Sequence, residues 1–503
     1  MRLPPLKLSF LVALISFGAN WQFGYQITYV NTAVMTFYQS FIAVYRLDHN
    51  CTTCDMPYEE WTWQWGVTVA SFYPGAVIGF VLVPWMTSKY GTRKSLFISG
   101  VPAIVGCLWS MFGRGRAVRM KHVGFADTFL LGVLVSGRML TGLHGGAALA
   151  LLPLFVCEVS PQRHRGFLLA FQQVAQALTT FLGFLLGSDS IFGTVDSHFE
   201  LLQLLGALPT AFLMLLLIWL PDSPAHLIRN MLWRRGESSI HFYYGRSNVT
   251  DLTFDEVLTE TTGHGNELID WGEVKRMFRP KSRHDSLLRK GLLIGCLAGA
   301  SYAFTADDLI DSYSSHIFQE VGSRAFRGID LEQQALADIY TGFLGLVLIV
   351  TSLIGCWLVE AVGRRPALLW GLVGTALANG LMSVMQALKW DWSWCVSLAS
   401  FVLTKAFIGL GAGAPAWFLT SELLPIELRT IGQTLSTGLL LCASGLVTLV
   451  YLSLDAALGS FSMVLLASLP AAMCAGLLYL YLPETRARSI HHVQTQLAIG
   501  WVT

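Results

Sequence analysis

The chain is poor in charged residues, and this shortage excludes several classes of protein. Charged side chains make up 13% of its 503 residues, whereas a soluble globular domain averages about 25%. Lys and Arg number 33 and Asp and Glu 32, a net charge of +1, so there is no basic surplus that would hold nucleic acid. No zinc motif, P-loop or glycine-rich dinucleotide-binding turn occurs, and no clustered nucleophile and base. The sequence therefore predicts neither a soluble protein, nor a nucleic-acid binder, nor an enzyme, and no metal or other cofactor is expected.

Cysteine is also scarce, with 9 residues in the whole chain, which excludes a secreted disulfide scaffold. Most of these cysteines fall in apolar segments, where they are expected to be buried and inert. Cys51 and Cys54 form a C-x-x-C pair in a segment expected outside the cell, where a disulfide and a metal or redox site are both open. Asn50 begins the sequon Asn50-Cys51-Thr52 and is the expected glycosylation site.

Long apolar runs are the dominant feature, since 53% of the residues are hydrophobic. A helix needs about 20 apolar residues to cross the hydrocarbon core of a bilayer. Nine runs without charge qualify, and three further segments carry only a few ionisable residues, so the sequence predicts an all-α membrane protein with twelve transmembrane helices. The twelve predicted segments are Leu8–Tyr29, Trp61–Ser88, Ser95–Gly113, Thr128–Cys157, Gly166–Ser188, Leu201–Leu220, Gly291–Phe318, Ile339–Val359, Pro366–Leu388, Trp392–Ser421, Thr430–Leu454 and Ala456–Leu482.

The distribution of Lys and Arg predicts that both termini lie in the cytoplasm. The polar stretch between the sixth and seventh helices then lies inside as well. No cleavable signal peptide is evident, so the first helix is expected to serve as its own signal. The predicted organisation is a first six-helix bundle over 1–221, a cytoplasmic domain over 222–290, a second bundle over 291–483 and a cytoplasmic tail over 484–503.

The two halves of the chain share polar motifs at nearly the same offset, which indicates an internal duplication. Each motif stands at the cytoplasmic end of equivalent helices. Two six-helix halves in parallel repeat are the organisation of a transporter whose solute binds near the midplane between the halves. The paired motifs are Glu158-x-x-Pro161-x-x-x-Arg165 with Glu422-x-x-Pro425-x-x-x-Arg429, Gly91-Thr-Arg93-Lys94 with Gly363-Arg364-Arg365, and Pro221-Asp222-Ser223 with Pro483-Glu484-Thr485.

These motifs also predict a gate at the cytoplasmic ends of the two bundles. Carboxylates and arginines there can form pairs between the bundles only while those ends meet, when the protein is open to the outside. Each exposed pair contributes only about 0–1 kcal/mol, which suits contacts that must break in every cycle. The predicted gate residues are Arg93, Glu158, Arg165, Glu360, Arg364, Glu422 and Arg429.

Taken together, a series of short motifs resembles the sugar porters of the major facilitator superfamily, most closely the animal facilitative hexose transporters. The resemblance covers nearly the whole chain. It implies two pseudo-symmetric six-helix bundles, a small cytoplasmic helical domain and a place in the plasma membrane. The motifs that carry it are Gln22-Phe23-Gly24-Tyr25, Gly91-Thr92-Arg93-Lys94, Gly137-Arg138, Glu158-Val-Ser-Pro161, Pro221-Asp-Ser-Pro224, Val359-Glu360-x-x-Gly363-Arg364-Arg365, Trp417-Phe418, Ser421-Glu422-Leu423 and Pro483-Glu484-Thr485.

The resemblance implies a solute site, and this sequence departs from the family at several of its positions. Gln173 and Trp417 match a sugar-binding glutamine and tryptophan. The seventh helix, however, has Tyr302 to Asp308 in place of the family's Gln-Gln-Leu-Ser-Gly-x-Asn, so that both glutamines are lost and Asp308 replaces the asparagine. Only Tyr313 remains of a double tyrosine at the outer gate. The predicted substrate-binding residues are Gln22, Gln173, Gln176, Asp308, Tyr313 and Trp417.

Three aspartates in the seventh helix need an explanation, because charge at membrane depth is costly. Asp307 and Asp311 share one helix face and Asp308 points elsewhere. Three interpretations are open: the aspartates hydrate an outer vestibule, Asp308 binds the substrate, or one of them carries a proton. Lys405, in the tenth helix, has no counterpart in the family pattern, and either extends to the outer surface or pairs with an aspartate.

The function expected from the resemblance is facilitative transport of a hexose or a related polyhydroxylated small solute by alternating access. One alternative is a proton-coupled symporter that uses a seventh-helix aspartate. Another is a membrane nutrient sensor that does not transport. The expected partners are the solute and the lipid bilayer, and no nucleic acid.

Overall fold

The computed structural model describes residues 5–49, 51, 53–117, 126–160, 164–189, 196–244, 271–325, 330–388, 393–486, 488 and 490–499. All regular secondary structure in these ranges is helical. The membrane-spanning helices are called spans 1 to 12 in chain order.

The first half of the chain supplies spans 1 to 6. Span 1 is Leu6–Thr32, and a second helix, Val34–Asp48, follows it almost directly. The two ends of the spans are called outer and cytoplasmic after the orientation that the sequence predicts, and this helix is at the outer end. Spans 2 and 3 lie within Tyr58–Ala70 and the long helix Phe72–Ala117. Spans 4, 5 and 6 are Ala126–Val159, Arg165–Gly187 and Asp196–Trp219.

The second half supplies spans 7 to 12, and three of these helices are interrupted. Span 7 consists of an inner helix, Arg283–Ala303, and an outer helix, Asp307–Ala325. Spans 8, 9 and 11 are Asp330–Val362, Arg364–Leu388 and Ile426–Leu458. Span 10 contains a π-helical turn between its two α-helices, and so does span 12. The segments of these two spans are Ser393–Phe407, Ile408–Ala412 and Gly413–Leu423, then Phe461–Met463, Val464–Ser468 and Leu469–Tyr481.

Short helices lie between and after the two halves. The described part of the central polar stretch contains Pro224–Arg229, Trp233–Tyr244 and Trp271–Phe278. The helix Ile490–Ile499 follows span 12. Two short amphipathic pieces are expected from the sequence in the polar stretch, at 254–258 and 269–278. The first lies outside the described residues, and the helix Trp271–Phe278 falls within the second.

Eleven helices in the described residues are long and apolar enough to cross a membrane. One of them runs from Glu59 to Ala117 and contains Gly91, whose φ of 77° is not helical. A chain reversal at Gly91 divides this stretch into spans 2 and 3, which gives the twelve spans that the sequence predicts. Gly363, the equivalent of Gly91 in the second half, has a φ of 123° and separates spans 8 and 9. The all-α, twelve-span architecture is therefore confirmed.

Candidate substrate site and gates

A buried hydrogen bond joins the two halves of the molecule. The indole N–H of Trp417 in span 10 donates to the side-chain carbonyl of Gln173 in span 5 over 2.8 Å. Both side chains are buried, at 2% and 1% exposure. Two residues that the sequence predicts to bind substrate are therefore brought together at the interface between the bundles.

Aromatic rings and a close backbone approach surround this pair. The rings of Phe23 and Tyr302 lie 6.0 and 4.9 Å from the indole of Trp417, centroid to centroid. Gly413 packs so closely on Gln173 that an added Cβ would lie 2.6 Å from the amide carbon. Tyr302, which stands where the family has a glutamine, thus fills part of this region with a ring instead of an amide.

Buried polar atoms without a protein partner concentrate on the helices that meet here. Gln172 lacks a partner for both amide atoms, and Gln173 and Gln176 each lack one for a single amide atom. Buried polar groups are normally hydrogen-bonded, so these atoms indicate a place for water or for a polar solute. The described residues of spans 5, 7 and 11 with such atoms include Gln172, Gln173, Gln176, Thr180, Asp308, Gln433, Thr434 and Ser444.

Two other residues predicted to bind substrate have protein partners of their own. The amide of Gln22 donates to the Gly206 carbonyl over 2.7 Å and to the Thr210 hydroxyl over 2.9 Å, and so joins spans 1 and 6. The hydroxyl of Tyr313 donates to the Thr448 carbonyl over 3.3 Å. Their roles in binding remain predictions.

The three aspartates of span 7 are buried, at 1% to 4% exposure. Lys405 Nζ lies 2.5 Å from an oxygen of Asp307 and contacts Asp311 as well. The helix-face prediction for Asp307 and Asp311 is thus confirmed, and Lys405 pairs with aspartates rather than extending to the surface. Asp308 faces another direction: it lies close to the Ser444 hydroxyl of span 11 and to Tyr73 of the first half, and one of its carboxylate oxygens is unpartnered.

At the cytoplasmic end of the second half, Arg364 pairs with Glu360 over 2.9 Å and with Glu422 over 3.5 Å. Gly166, in the first turn of span 5, packs directly on Glu360 and Arg364, so the two bundles meet at this point. The Cys356 thiol of span 8 also lies 3.4 Å from the Ala170 carbonyl of span 5.

At the cytoplasmic end of the first half, Arg93 pairs with Asp222 over 2.8 Å, and Glu158 accepts hydrogen bonds from Thr92 and Ser223. The thiol of Cys157 lies close to gate residues of both halves. Its electrostatic neighbours are Glu158 and Arg165 of the first half together with Glu422 and Arg429 of the second half. The structure therefore gathers the predicted gate residues at one end of the molecule, and their action as a gate remains a prediction.

His226, two residues after the Pro221-Asp-Ser-Pro224 motif, lies just after span 6 at this same end. Its ring packs on Gly91, so that a Cβ there would lie 2.8 Å from the imidazole. Burial lowers the pKa of His226 below its ordinary value, and the nearby carboxylates of Glu158 and Asp222 oppose that shift.

The outer ends of the two halves also touch, through residues that the sequence analysis did not single out. Asn31 of span 1 donates to the Ser314 hydroxyl over 2.9 Å and accepts from the Ser315 backbone N–H over 3.2 Å. Ser188, at the end of span 5, donates to Asp338 of span 8 over 2.8 Å. The only sequence signal for these contacts is a polar residue near the end of an apolar run.

Two further predicted features concern the loops. Cys51 and Cys54 form a disulfide, which resolves the choice that the sequence left open. Asn50, the predicted glycosylation site, and Pro161, part of a duplicated motif, lie outside the described residues.

Comparison with known proteins identifies the family. The sequence profile described as "Sugar (and other) transporter" matches residues 11–497. The mouse facilitated glucose transporter member 2 is 26% identical over 367 residues, which span 72% of this chain and 64% of that protein, slightly under two thirds of its length. The dog member 3 is 24% identical over 97% of this chain and 92% of that protein. The arabinose-proton symporter of Escherichia coli K12 is 24% identical over 88% and 86%.

Solved structures agree on the fold. The proton:xylose symporter XylE, bound to 6-bromo-6-deoxy-D-glucose, superposes with a TM-score of 0.76 at 18% sequence identity, covering 97% of this chain and 98% of that one. At this level of identity the likeness concerns the fold alone, and it is the major facilitator fold that the resemblance implies. The chain is a multi-pass membrane protein that belongs to the sugar (and other) transporter family.

Proposed function

We propose that this protein carries a hexose or a related small polyhydroxylated solute across a membrane by alternating access, down the gradient of that solute. The observation that carries the proposal is the hydrogen bond between Trp417 and Gln173. It joins the two bundles, among buried amide and hydroxyl groups that lack protein partners.

The chemistry of these groups suits a sugar. An amide offers both donors and acceptors, and a sugar supplies several hydroxyls that act as both. The flat apolar face of an indole suits the C–H face of a sugar ring. A solute that entered between Trp417 and Gln173 would replace their mutual hydrogen bond with its own, and would supply partners to Gln172 and Gln176.

Alternating access is supported by contacts between the halves at both ends. Gly166 rests on Glu360 and Arg364 at the inner end, and Asn31 bonds to span 7 at the outer end. The structure therefore has both ends in contact. The protein opens to one side when the contacts at that end separate while the contacts at the opposite end persist.

The proposed solute is neutral or cationic rather than anionic. Asp308 presents a buried carboxylate oxygen without a partner, and a carboxylate accepts hydrogen bonds from hydroxyls but repels an anion. The names of the similar proteins, which include glucose carriers, an arabinose symporter and a plant polyol transporter, support a sugar or polyol. A plasma-membrane location with both termini in the cytoplasm is part of this proposal.

The test is uptake by the reconstituted protein from a panel of labelled hexoses, pentoses and polyols. Trp417→Ala and Gln173→Ala should each reduce kcat/KM for the transported solute by about 5- to 150-fold, because each leaves buried polar groups unpaired at a cost of about 1–3 kcal/mol. Trp370→Ala is the matched control, since the Trp370 side chain in span 9 is 69% exposed and lies outside the proposed site. Wild-type uptake by a well-expressed Trp417→Ala variant would refute this location of the site.

A second candidate is symport of the same solute with a proton. The specific observation in its favour is again Asp308, a buried carboxylate at the interface with one unpartnered oxygen. If Asp308 carries the proton, an acid-outside gradient should accelerate uptake in the wild type and fail to do so in Asp308→Asn. Uptake in the wild type that ignores the gradient would eliminate this candidate and leave facilitative transport.

A further inference from the structure

The buried cluster of Lys405, Asp307 and Asp311 has no part in the substrate site described above. The three side chains are 0%, 1% and 2% exposed, and one ammonium group serves two carboxylates. Buried ion pairs of this kind are weak evidence for stability, because desolvation of the charges offsets their attraction. The position of the cluster in the fold indicates another role.

The cluster stands where span 7 is interrupted. Phe304, Thr305 and Ala306 separate the two helices of the span, and Ala306 has a φ of 69°, which is unusual for a residue with a side chain. Asp307 is the first residue of the outer helix. Lys405 therefore forms an ion pair with the first residue of the outer helix, and a second ion pair with Asp311, one turn further on.

Neighbouring polar groups fix the same break. The Tyr302 hydroxyl donates to Asp307 from the inner helix. Asn379 of span 9 donates to the Thr305 carbonyl over 3.0 Å, and Thr404 of span 10 holds the Asn379 amide over 3.1 Å. Spans 9 and 10 together therefore hold the start of the outer helix in one orientation.

The far part of the same outer helix forms the outer contact between the halves. Ser314 and Ser315 bond to Asn31 of span 1, two turns beyond Asp307. The seven residues from Asp307 to Ser314 rise by about 10 Å, so a tilt of about 20° at the base displaces the contact with the opposite bundle by about 3–4 Å. The orientation that Lys405 sets thus decides whether Ser314 reaches Asn31.

We propose that Lys405 is a positioning residue of the transport cycle, which holds the outer helix of span 7 in the orientation that closes the protein to the outside. The proposal rests on the alternating-access function proposed above. Lys405 also lies in the last turn of the helix Ser393–Phe407, which is followed by the π-helical turn Ile408–Ala412 and then by Gly413 and Trp417 at the substrate site. Span 10 therefore connects the outer gate with the site.

The experiment uses a cysteine placed at the outer contact, Ser314→Cys, in the full-length protein in right-side-out vesicles. A membrane-impermeant maleimide added outside reports how often the contact opens, and the parent with Ser314 gives the background. Adding Lys405→Met should raise the labelling rate of Cys at 314 by at least tenfold. Lys290→Met, at the inner end of span 7, is the matched control and should leave the labelling rate within twofold of the Ser314→Cys protein.

A second variant keeps the test decisive if Lys405→Met does not fold. The triple variant Lys405→Met, Asp307→Asn, Asp311→Asn leaves no uncompensated buried charge, yet it lacks the ionic attachment. Raised labelling in this variant, with normal surface expression, supports the positioning role. Labelling at the parental rate in the triple variant would overturn it and leave the cluster a structural role only. The labelling needs no solute, so this result is independent of whether a sugar is carried.

Discussion

The hydroxyl of Thr485 donates a hydrogen bond of 2.6 Å to the carboxylate of Glu422. In the first half, Ser223 makes the equivalent bond to Glu158 over 2.5 Å. Each bond joins the hydroxyl residue that ends a Pro-acid-hydroxyl motif to the glutamate that begins the Glu-x-x-Pro-x-x-x-Arg motif of the same half. The internal duplication is therefore visible in side-chain contacts as well as in the sequence, and the two bundles share one design at their cytoplasmic ends.

Gly91 and Gly363, the glycines that begin one pair of duplicated motifs, should resist substitution. Gly91 and Gly363 both have positive φ, and a Cβ would lie 2.8 Å from the His226 ring and 2.5 Å from the Glu484 carboxylate, respectively. We expect Gly91→Ala and Gly363→Ala each to destabilise the protein by at least about 1–2 kcal/mol from backbone conformation alone. Thermal unfolding of the purified protein measures this. Gly476→Ala, in a helix with open space around it, is the control, and an equal melting temperature for all three variants would contradict the prediction.

Neutralising Arg364 should loosen the inner ends of the bundles. Arg364 is 5% exposed, pairs with Glu360 and Glu422 within the second half and packs on Gly166 of the first half. Arg364→Gln therefore disturbs a contact between the bundles and leaves two half-buried carboxylates without that partner. A loss of about 1.4 kcal/mol would raise the population open to the inside about tenfold. Native Cys356, whose thiol is packed on Ala170 of the other half, provides the readout.

The rate at which Cys356 reacts with a small thiol reagent, followed by mass spectrometry, should rise about tenfold in Arg364→Gln. Arg365→Gln is the control, because that neighbouring arginine is directed towards the Tyr479 carbonyl. Equal reactivity of Cys356 in both variants would argue against a gate at Arg364.

Gly413→Ala should weaken solute binding without harming the fold. The added methyl group would lie 2.6 Å from the Gln173 amide and would displace it from the Trp417 indole. A displaced amide would also lose or distort its hydrogen bond to the bound solute. One such bond contributes about 0.5–1.5 kcal/mol, so we expect the half-saturating concentration of the transported solute to rise about 2- to 12-fold. Gly342→Ala in span 8, with nothing near its Cβ position, should have wild-type kinetics. An unchanged half-saturating concentration in Gly413→Ala would show that solute binding does not depend on the present position of the Gln173 amide.

Much of the architecture could be predicted from the sequence because membrane spans depend on length and hydropathy, which are local properties. The apolar runs gave the twelve spans, and the i, i+4 spacing correctly placed Asp307 and Asp311 on one face. The partner of Lys405 could not be decided in this way, since pairing depends on how span 10 packs against span 7. The contact of Asn31 with Ser314 was missed for the same reason: it joins two bundles that are far apart in sequence.

The substrate site illustrates a further limit. The resemblance singled out Gln173 and Trp417, and the structure brings them together. It could not anticipate that Gln22 would use its amide to join spans 1 and 6, nor that Tyr302 would occupy the region beside the indole. A motif fixes the position of a residue along a helix, whereas its hydrogen-bond partners depend on side chains that differ between members of a family.

Acidification should destabilise the protein through His226. Burial against Gly91 lowers the pKa of the imidazole in the folded protein, so folding favours the neutral ring. The contribution of this ring to stability is therefore fully present above its unfolded pKa of about 6.5 and is lost as the pH falls through that value towards the folded pKa. The greatest slope that one such group can give is about 1.4 kcal/mol per pH unit. Melting temperatures at pH 7.5 and 5.5 should thus differ more for the wild type than for His226→Gln. The control His241→Gln changes a partly exposed histidine in the neighbouring helix Trp233–Tyr244 and should behave as the wild type. If His226→Gln loses as much stability on acidification as the wild type does, the buried imidazole is not the group responsible.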